Sequence, residues 1–275
     1  MSFYTSLNGL KNAQTDLGVI SHNIANAETN GFKKSRTEFA DIVVGSAFTN
    51  PKLVVGIGAA VESISQNFAL GAIEQTGSAL DLAINGDGFF TTKNVITQET
   101  LYTRNGSMTV DGSGYVSDGS NNRLQVFPTD TTGTITSTTP TDAQIPASNG
   151  TDANGNPIEF AGVTVDDDGS VVASYADGSN IVVGKVALAS FIAPQGLKQV
   201  GSSNWVATGI SGAASYGQPS TGQYGSLLSG ALERSNVDIA EELVSLITAQ
   251  RNFQANAKAI DTATQISQTV IQLQS

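Results

Sequence analysis

The 275 residues contain no cysteine and a single histidine, His22. Disulfides, thiolate chemistry and sulfur-ligated zinc are excluded, and one imidazole cannot build a histidine metal cluster. Charge is scarce too: Asp, Glu, Lys and Arg make up 13% of the chain, well under the usual quarter. What charge there is leans acidic, with 24 acidic against 13 basic side chains and a net −11. An acidic surface repels phosphate backbones, so nucleic acid is set aside as a partner and the charge is read as serving solubility. No apolar run approaches the roughly 18 residues of a membrane span, so no membrane insertion is expected. The opening residues Met1–Leu10 have neither a basic n-region nor a long apolar stretch, and no cleavable secretory signal is expected there.

What is abundant is glycine, 29 residues, scattered among frequent Ser, Thr and Asn. Between about Leu53 and Leu228, short β-branched or aromatic runs alternate with Asn85-Gly86, Asn105-Gly106, Asp111-Gly112, Asp118-Gly119, Asp168-Gly169 and Asp177-Gly178. These dipeptides are strong hairpin signals, and the middle of the chain reads as a mainly antiparallel β body. Pro128–Pro157 is rich in Thr, Pro and Asn and poor in apolar residues, and reads as a long loop or small insertion.

Both ends read as helices. Phe3, Leu7, Leu10, Leu17 and Ile24 fall on a seven-residue frame, and Ala13, Ile20 and Ala27 form a second stripe at the same spacing. Gly9 and Gly18 weaken this helix by about 1 kcal/mol each relative to Ala, and Asn30-Gly31 is a stop signal. At the other end, Ser235 or Asn236 is the expected cap. Ile239, Leu243, Leu246, Phe253, Ala257 and Ile260 follow, then Ile266, Val270 and Leu273 after a break in the frame near Ala263. Val237–Ser275 contains neither Gly nor Pro, enough for a rod of roughly 55 Å. The polar faces of both helices carry Asn, Gln, Ser and Thr rather than Glu and Lys. Either each helix is surrounded by other helices, or neutral amides are a compositional habit.

The expected fold class is therefore α+β. Residues 1–32 and 236–275 form a coiled-coil-like helical domain, 33–75 an extended linker or hairpin, and 76–235 a β-rich domain with the loop or insertion at about 128–160. The residues expected at helix seams, and so at an assembly interface, are Phe3, Leu7, Leu10, Leu17, Ile20, Ile24, Ile239, Leu243, Leu246, Phe253, Ile260, Ile266, Val270 and Leu273.

Catalytic patterns are thin. Gly56-Ile-Gly58 lacks the third glycine of a dinucleotide loop. Asp166-Asp-Asp-Gly169 lacks the spacing and distal Glu of a calcium loop and reads as a turn. Asp81 and Asp87 can be posed as a glycosidase pair, or the β body as a glycan-binding adhesin, but one tryptophan, Trp205, gives no sugar-stacking cluster. No catalytic, cofactor or metal residue is assigned.

Ile20–Lys33, with Asn23, Ala25, Asn26, Thr29, Gly31, Phe32 and Lys33, resembles the signature of the flagellar rod and hook proteins. Leu80–Phe90, Tyr102–Gly106 with Val110–Gly114, and Ser235–Val244 with Ala249–Lys258 resemble further stretches of that family in the same order. Gly225–Glu233 and Ala249–Asn256 resemble the hook protein more than the rod proteins. The resemblance implies a compact hook subunit with little or no outer domain, the alternative being the distal rod protein. It also implies partners: copies of itself in a helical tubular homopolymer, a rod protein below, a hook–filament junction protein and hook cap above, and a type III export apparatus that delivers the subunit outside the cell.

Overall fold

The computed structural model describes residues 2–44, 55–130, 133–151 and 157–274. The fold is α+β, with one helix at each end and antiparallel strand pairs between them. Two compact units form. One holds residues 1–27, 34–67 and 237–275; the other holds 28–33 and 68–236. These boundaries differ from those read in the sequence. Residues 34–67 group with the helices, and the tail of the motif, residues 28–33, groups with the β body.

In the helical unit, α1 spans Ser2–Ala25 and α2 spans Ile239–Gln274. α1 stops five residues before Asn30, because Asn26 ends it. The Asn26 side-chain amide donates to the His22 carbonyl at 2.9 Å, alongside the Asn26 backbone amide at 3.2 Å on the same oxygen. α2 is capped by Asp238, not Ser235 or Asn236: its carboxylate accepts from the amides of Ala240 at 2.8 Å and Glu241 at 3.2 Å. The helices run antiparallel. Gly9 lies against the Asn256 side chain, and fourteen residues further along α1, Asn23 bonds Glu242, fourteen residues back along α2. At that register the last eleven or so residues of α2 extend past the start of α1, by roughly 16 Å.

Ala13 and Ile20 are the buried apolar residues of α1, while Leu7, Leu10, Leu17 and Ile24 are half-buried. The second stripe is thus the more deeply buried one, and the larger seam residues flank it. Small side chains accompany the pairing: Gly9 lies against Asn256, and Ala13 on α1 and Ala249 on α2 are buried. Strands β1 (Ser35–Val44) and β2 (Val55–Gln66) form a long antiparallel hairpin beside α1. The Asn12 side chain donates to the Ala59 carbonyl at 2.8 Å. Gly58, at φ +123°, sits where the register slips between Ile42 and Val43, a bulge geometry that L side chains rarely adopt.

The β unit is one large sheet with short satellite pairs. Its main path runs through Ser148–Thr151, Pro157–Val165, Ser170–Tyr175, Asn180–Val186, Asn122–Phe127, Phe89–Asn94, Thr100–Thr103, Asn204–Val206 and Lys198–Gly201. One apolar core gathers Leu82, Ile84, Phe90, Leu124, Val126, Val171, Val186, Leu188 and Leu227. A second stacks Phe89, Tyr102, Phe191 and Phe68 edge-on around fully buried Trp205. Part of 128–160, read as loop or insertion, is woven into the body: Thr141–Asp142 pairs with Asn122–Phe127, and Ala143 and Ile145 are core residues. Alternation had failed there because only two apolar side chains carry the burial.

The turns follow side-chain chemistry. Asp111, Asp118, Asp168 and Asp177 each accept from the backbone amide two residues on. Positive φ falls on the Gly of the dipeptide at Gly169 and Gly178, but on Gly114 and Asn121 in the two longer turns. Gly106 has ordinary φ and is needed for space, since a Cβ there would collide with the Leu82 carbonyl. Gly106→Ala is expected to cost about 1–3 kcal/mol by overpacking, measured as a lower urea midpoint of Trp205 fluorescence.

Candidate assembly interface and motif

The expected seam residues divide into two sets. Leu7, Leu10, Leu17, Ile20, Ile24, Leu246, Phe253 and Ile260 are buried or half-buried within the helical unit. Phe3, Ile239, Leu243, Ile266 and Val270 are exposed, between 41% and 60%. The Leu273 side chain lies outside the described residues. Sequence reasoning missed three more exposed apolar residues on α2, namely Val244, Ile247 and Ile271, because they lie off the seven-residue frame. Their signal was proximity in the sequence: each lies within four residues of an exposed seam position. α2 thus presents an apolar surface that no described residue of its own unit covers. From Thr262 to Ser275 it carries no charged side chain.

The first half of the motif closes the helical unit. Asn23 is 1% exposed. Its side-chain carbonyl accepts the Ser35 amide at 2.9 Å, and its amide donates to the Ser35 carbonyl at 2.8 Å. The side chain therefore pairs with the start of β1 as a strand would. The same amide donates to Glu242 at 3.2 Å. Glu242, itself buried, accepts from Lys34 at 2.8 Å, and exposed Glu241 sits 3.3 Å from the same ammonium. Desolvation works to lower the Lys34 pKa, but its bonds to Glu242 and Glu241 prevail and raise it. Ala25 is exposed and makes no comparable contact; Asn26 serves the helix end, with His22 Nδ1 3.4 Å from its amide.

The second half of the motif belongs to the β unit. Phe32 is 2% exposed. Gly31, at φ +67°, donates its amide to the Glu233 carbonyl at 2.8 Å and passes so close to the Arg104–Asn105 backbone that no Cβ fits. Thr29 turns the chain, its carbonyl accepting from the Phe32 amide at 3.3 Å. Lys33 is buried completely. Its ammonium reaches Glu233 at 2.5 Å and the Ala69 carbonyl at 2.7 Å. Glu233 also accepts from the Gly71 amide at 2.9 Å and from Arg104 at 3.2 Å, and Arg104 donates to the Gly86 carbonyl at 2.9 Å. Burial pushes the Lys33 pKa down, against the upward pull of Glu233, and burial likewise lowers that of Arg104. The group holds two cations and one anion: removing Glu233 leaves two uncompensated buried cations, a loss of about 3–5 kcal/mol, whereas removing Lys33 leaves Glu233 and Arg104 as a neutral pair. Arg104 and Glu233 had not been singled out from the sequence. Their signal was a lone charge inside otherwise neutral stretches, Tyr102–Gly106 and Gly225–Glu233.

The carboxylates weighed for catalysis have local uses. Asp81 accepts the Thr76 hydroxyl at 2.6 Å, and its carbonyl accepts the Gly230 amide at 2.8 Å. Asp87 is exposed at the rim of a 220 Å³ cavity walled by Phe68, Phe89 and Phe191. Asp166–Gly169 is a tight turn closed by the Gly169 amide on the Asp166 carbonyl at 2.8 Å. In it Asp168 bonds Lys185 at 2.9 Å, which holds its carboxyl below the usual range. Among the described residues, no helix is long and apolar enough to cross a membrane.

Three family descriptions match the chain in order: the flagella basal body rod protein over residues 3–33, the D1 domain of the flagellar hook protein FlgE/F/G over 83–173, and the C-terminal part of the flagellar basal body rod FlgEFG protein over 228–273. The chain is 36% identical to the flagellar basal-body rod protein FlgG of Bacillus subtilis over 285 aligned positions, covering 99% of this chain and 98% of that one. It is 28% identical to the flagellar hook protein FlgE of Escherichia coli over 409 aligned positions, covering 99% of this chain and 100% of that one. Against the rod protein FlgG of Agrobacterium fabrum the identity is 31%, with 95% of each covered. The chain belongs to the flagellar rod and hook family of axial structural proteins. Within it, this is a member without an outer domain: its described residues form two units, and its 275 residues fill the 409-position alignment with the hook protein only across gaps.

Because the Lys34 pKa is raised on folding, the stability it contributes is fully present below its unfolded value of 10.5 and is lost as pH rises through the higher folded value. Lys34→Met is therefore expected to melt earlier than the unmodified chain at pH 8, by about 1–2 kcal/mol. That deficit should shrink steadily above pH 10.5 when followed by helical circular dichroism.

Proposed function

We propose that this chain is the structural subunit of the flagellar hook, the bendable tube between the motor's rod and the filament. One observation carries the reading. The last third of α2 is an uncharged helix end with Ile266, Val270 and Ile271 exposed at 60%, 48% and 67%, beyond the reach of α1. A contiguous apolar helix face in water calls for a partner, and in a homopolymer the partner is a neighbouring copy. Contacts built from Ile, Val, Gln, Ser and Thr contain no fixed ion pairs, so they permit the small slides that bending demands. The residues resembling the hook protein, Gly225–Glu233 and Ala249–Asn256, support the same choice.

In this reading the tube meets a rod protein below, and a junction protein and cap above. The subunit reaches the cell exterior through the type III export apparatus. Gly18 fits that route: nothing lies within 4 Å of where its side chain would be, so it weakens α1 without any packing return. A helix that is marginal alone stays extended in transit and orders with its partners. The subunit performs no catalysis.

A second reading is the distal rod protein. It is favoured by FlgG of Bacillus subtilis, which aligns nearly end to end, over 99% of this chain and 98% of its own. Electron microscopy of polymer grown from purified protein separates the two: curved tubes support the hook, straight stiff ones the rod. Ile266→Asp with Val270→Asp is expected to leave the monomer's helicity and melting unchanged while abolishing tubes. Normal tubes from that variant would sink the assembly role of this face. Changes at Leu7 or Leu10 test it less well, because both side chains are half-buried within the subunit.

A further inference from the structure

The segment Glu28–Lys33 docks on the β unit through an apolar anchor and a charged one. Phe32 supplies the first. Burial of a phenyl ring is favourable but non-directional, and it does not by itself distinguish one register of a short segment from a neighbouring one. Lys33 supplies the second, and its demands are exact. The ammonium is 0% exposed and needs both the Glu233 carboxylate and the Ala69 carbonyl. In a register displaced by one residue, the charge would be buried without those acceptors, or Phe32 would have to leave the core.

We propose that Lys33 is a register pin: the buried Lys33–Glu233–Arg104 group specifies where Glu28–Lys33 sits on the β unit, and adds little to that unit's overall stability. Three observations support the division of labour. Replacing a buried ionic group by apolar atoms of like size is often neutral for stability, since desolvation offsets the attraction. Burial depresses the pKa of Lys33 despite its carboxylate partner, as expected where desolvation outweighs attraction. Glu233 is also a hub. Its carboxylate accepts from Lys33, Gly71 and Arg104, and its backbone carbonyl accepts from Gly31, so one residue ties three separate stretches of chain to the Ala231–Glu233 strand. Removing Lys33 as Lys33→Met leaves Glu233 and Arg104 as a neutral pair and leaves the apolar cores untouched. This role is independent of whether the chain builds a hook or a rod.

The test is native-state hydrogen exchange read by NMR on full-length Lys33→Met, with urea unfolding followed by Trp205 fluorescence. Expected is an unfolding midpoint close to that of the unmodified chain, with exchange at the Gly31 and Gly71 amides at least tenfold faster and exchange at core amides such as Leu82 unchanged. Unchanged protection at Gly31 would overturn the proposal, as would faster exchange everywhere in parallel with a lower midpoint, which would make Lys33 a plain stability residue. Should Lys33→Met not fold, Lys33→Leu likewise leaves Glu233 and Arg104 as a neutral pair, and the same selective opening is expected of it. Failure of both variants to fold would equally overturn the proposal.

Discussion

Much of this molecule hangs on a single buried carboxylate. Glu233 is 1% exposed and takes its partners from Lys33, Gly71 and Arg104, with the Gly31 amide on its backbone. A charge so buried tolerates few arrangements, because its desolvation must be offset by cations and amides held close to it. The surrounding glycines follow from that tolerance. Gly71 donates to the carboxylate and Gly31 to the Glu233 backbone carbonyl, and a Cβ on either would strike backbone, at Arg234 or at Asn105. The polar cluster and the glycines are one constraint, since the carboxylate requires a close approach of chain segments that only glycine permits.

The adjacent residue repeats the theme in the other unit. Lys34 bonds Glu242 as Lys33 bonds Glu233, and Asn23 completes that second group by pairing with Ser35. Thus a chain only 13% charged places two consecutive lysines in two different networks, one fully buried at Lys33 and one part-exposed at Lys34. Elsewhere the helical unit relies on small side chains and amides. Gly9, Ala13 and Ala249 bring the helices together, and Asn12 ties α1 to the hairpin. Specific polar contacts are spent where the chain changes direction, and neutral ones along the helices.

That distribution suits an axial subunit. The helices need a defined partner within the chain, and a surface free to meet others. α2 answers both needs along its length: Leu246, Phe253 and Ile260 turn towards α1, while Ile266, Val270 and Ile271 extend beyond it. A helix of 36 residues paired with one of 24 necessarily leaves an unpaired end, and the apolar, uncharged composition of that end is what distinguishes it from an ordinary solvated tail.

The sequence by itself determined the α+β plan, both helices, the four Asp-Gly turns and the family; Asn85-Gly86 and Asn105-Gly106 close no hairpin, since the strands on either side of each pair elsewhere. What it determined rests on local signals: seven-residue spacing, Asp-Gly dipeptides, and motifs read in order. It also marked Asn23, Gly31, Phe32 and Lys33. Tertiary structure alone decided which helical stripe lies innermost, because that depends on how closely two backbones approach, and heptad spacing ranks large residues above the alanines that permit contact. It also decided that Asp238 caps α2, a matter of which side chain reaches the free amides, and that Ala143 and Ile145 join the core from a stretch without periodicity. Above all, it decided that Lys33, Arg104 and Glu233 meet. They lie 71 and 129 residues apart along the chain, and no local pattern encodes a partner at that distance. Only the closed fold sets the low-dielectric surroundings in which those three charges must find one another.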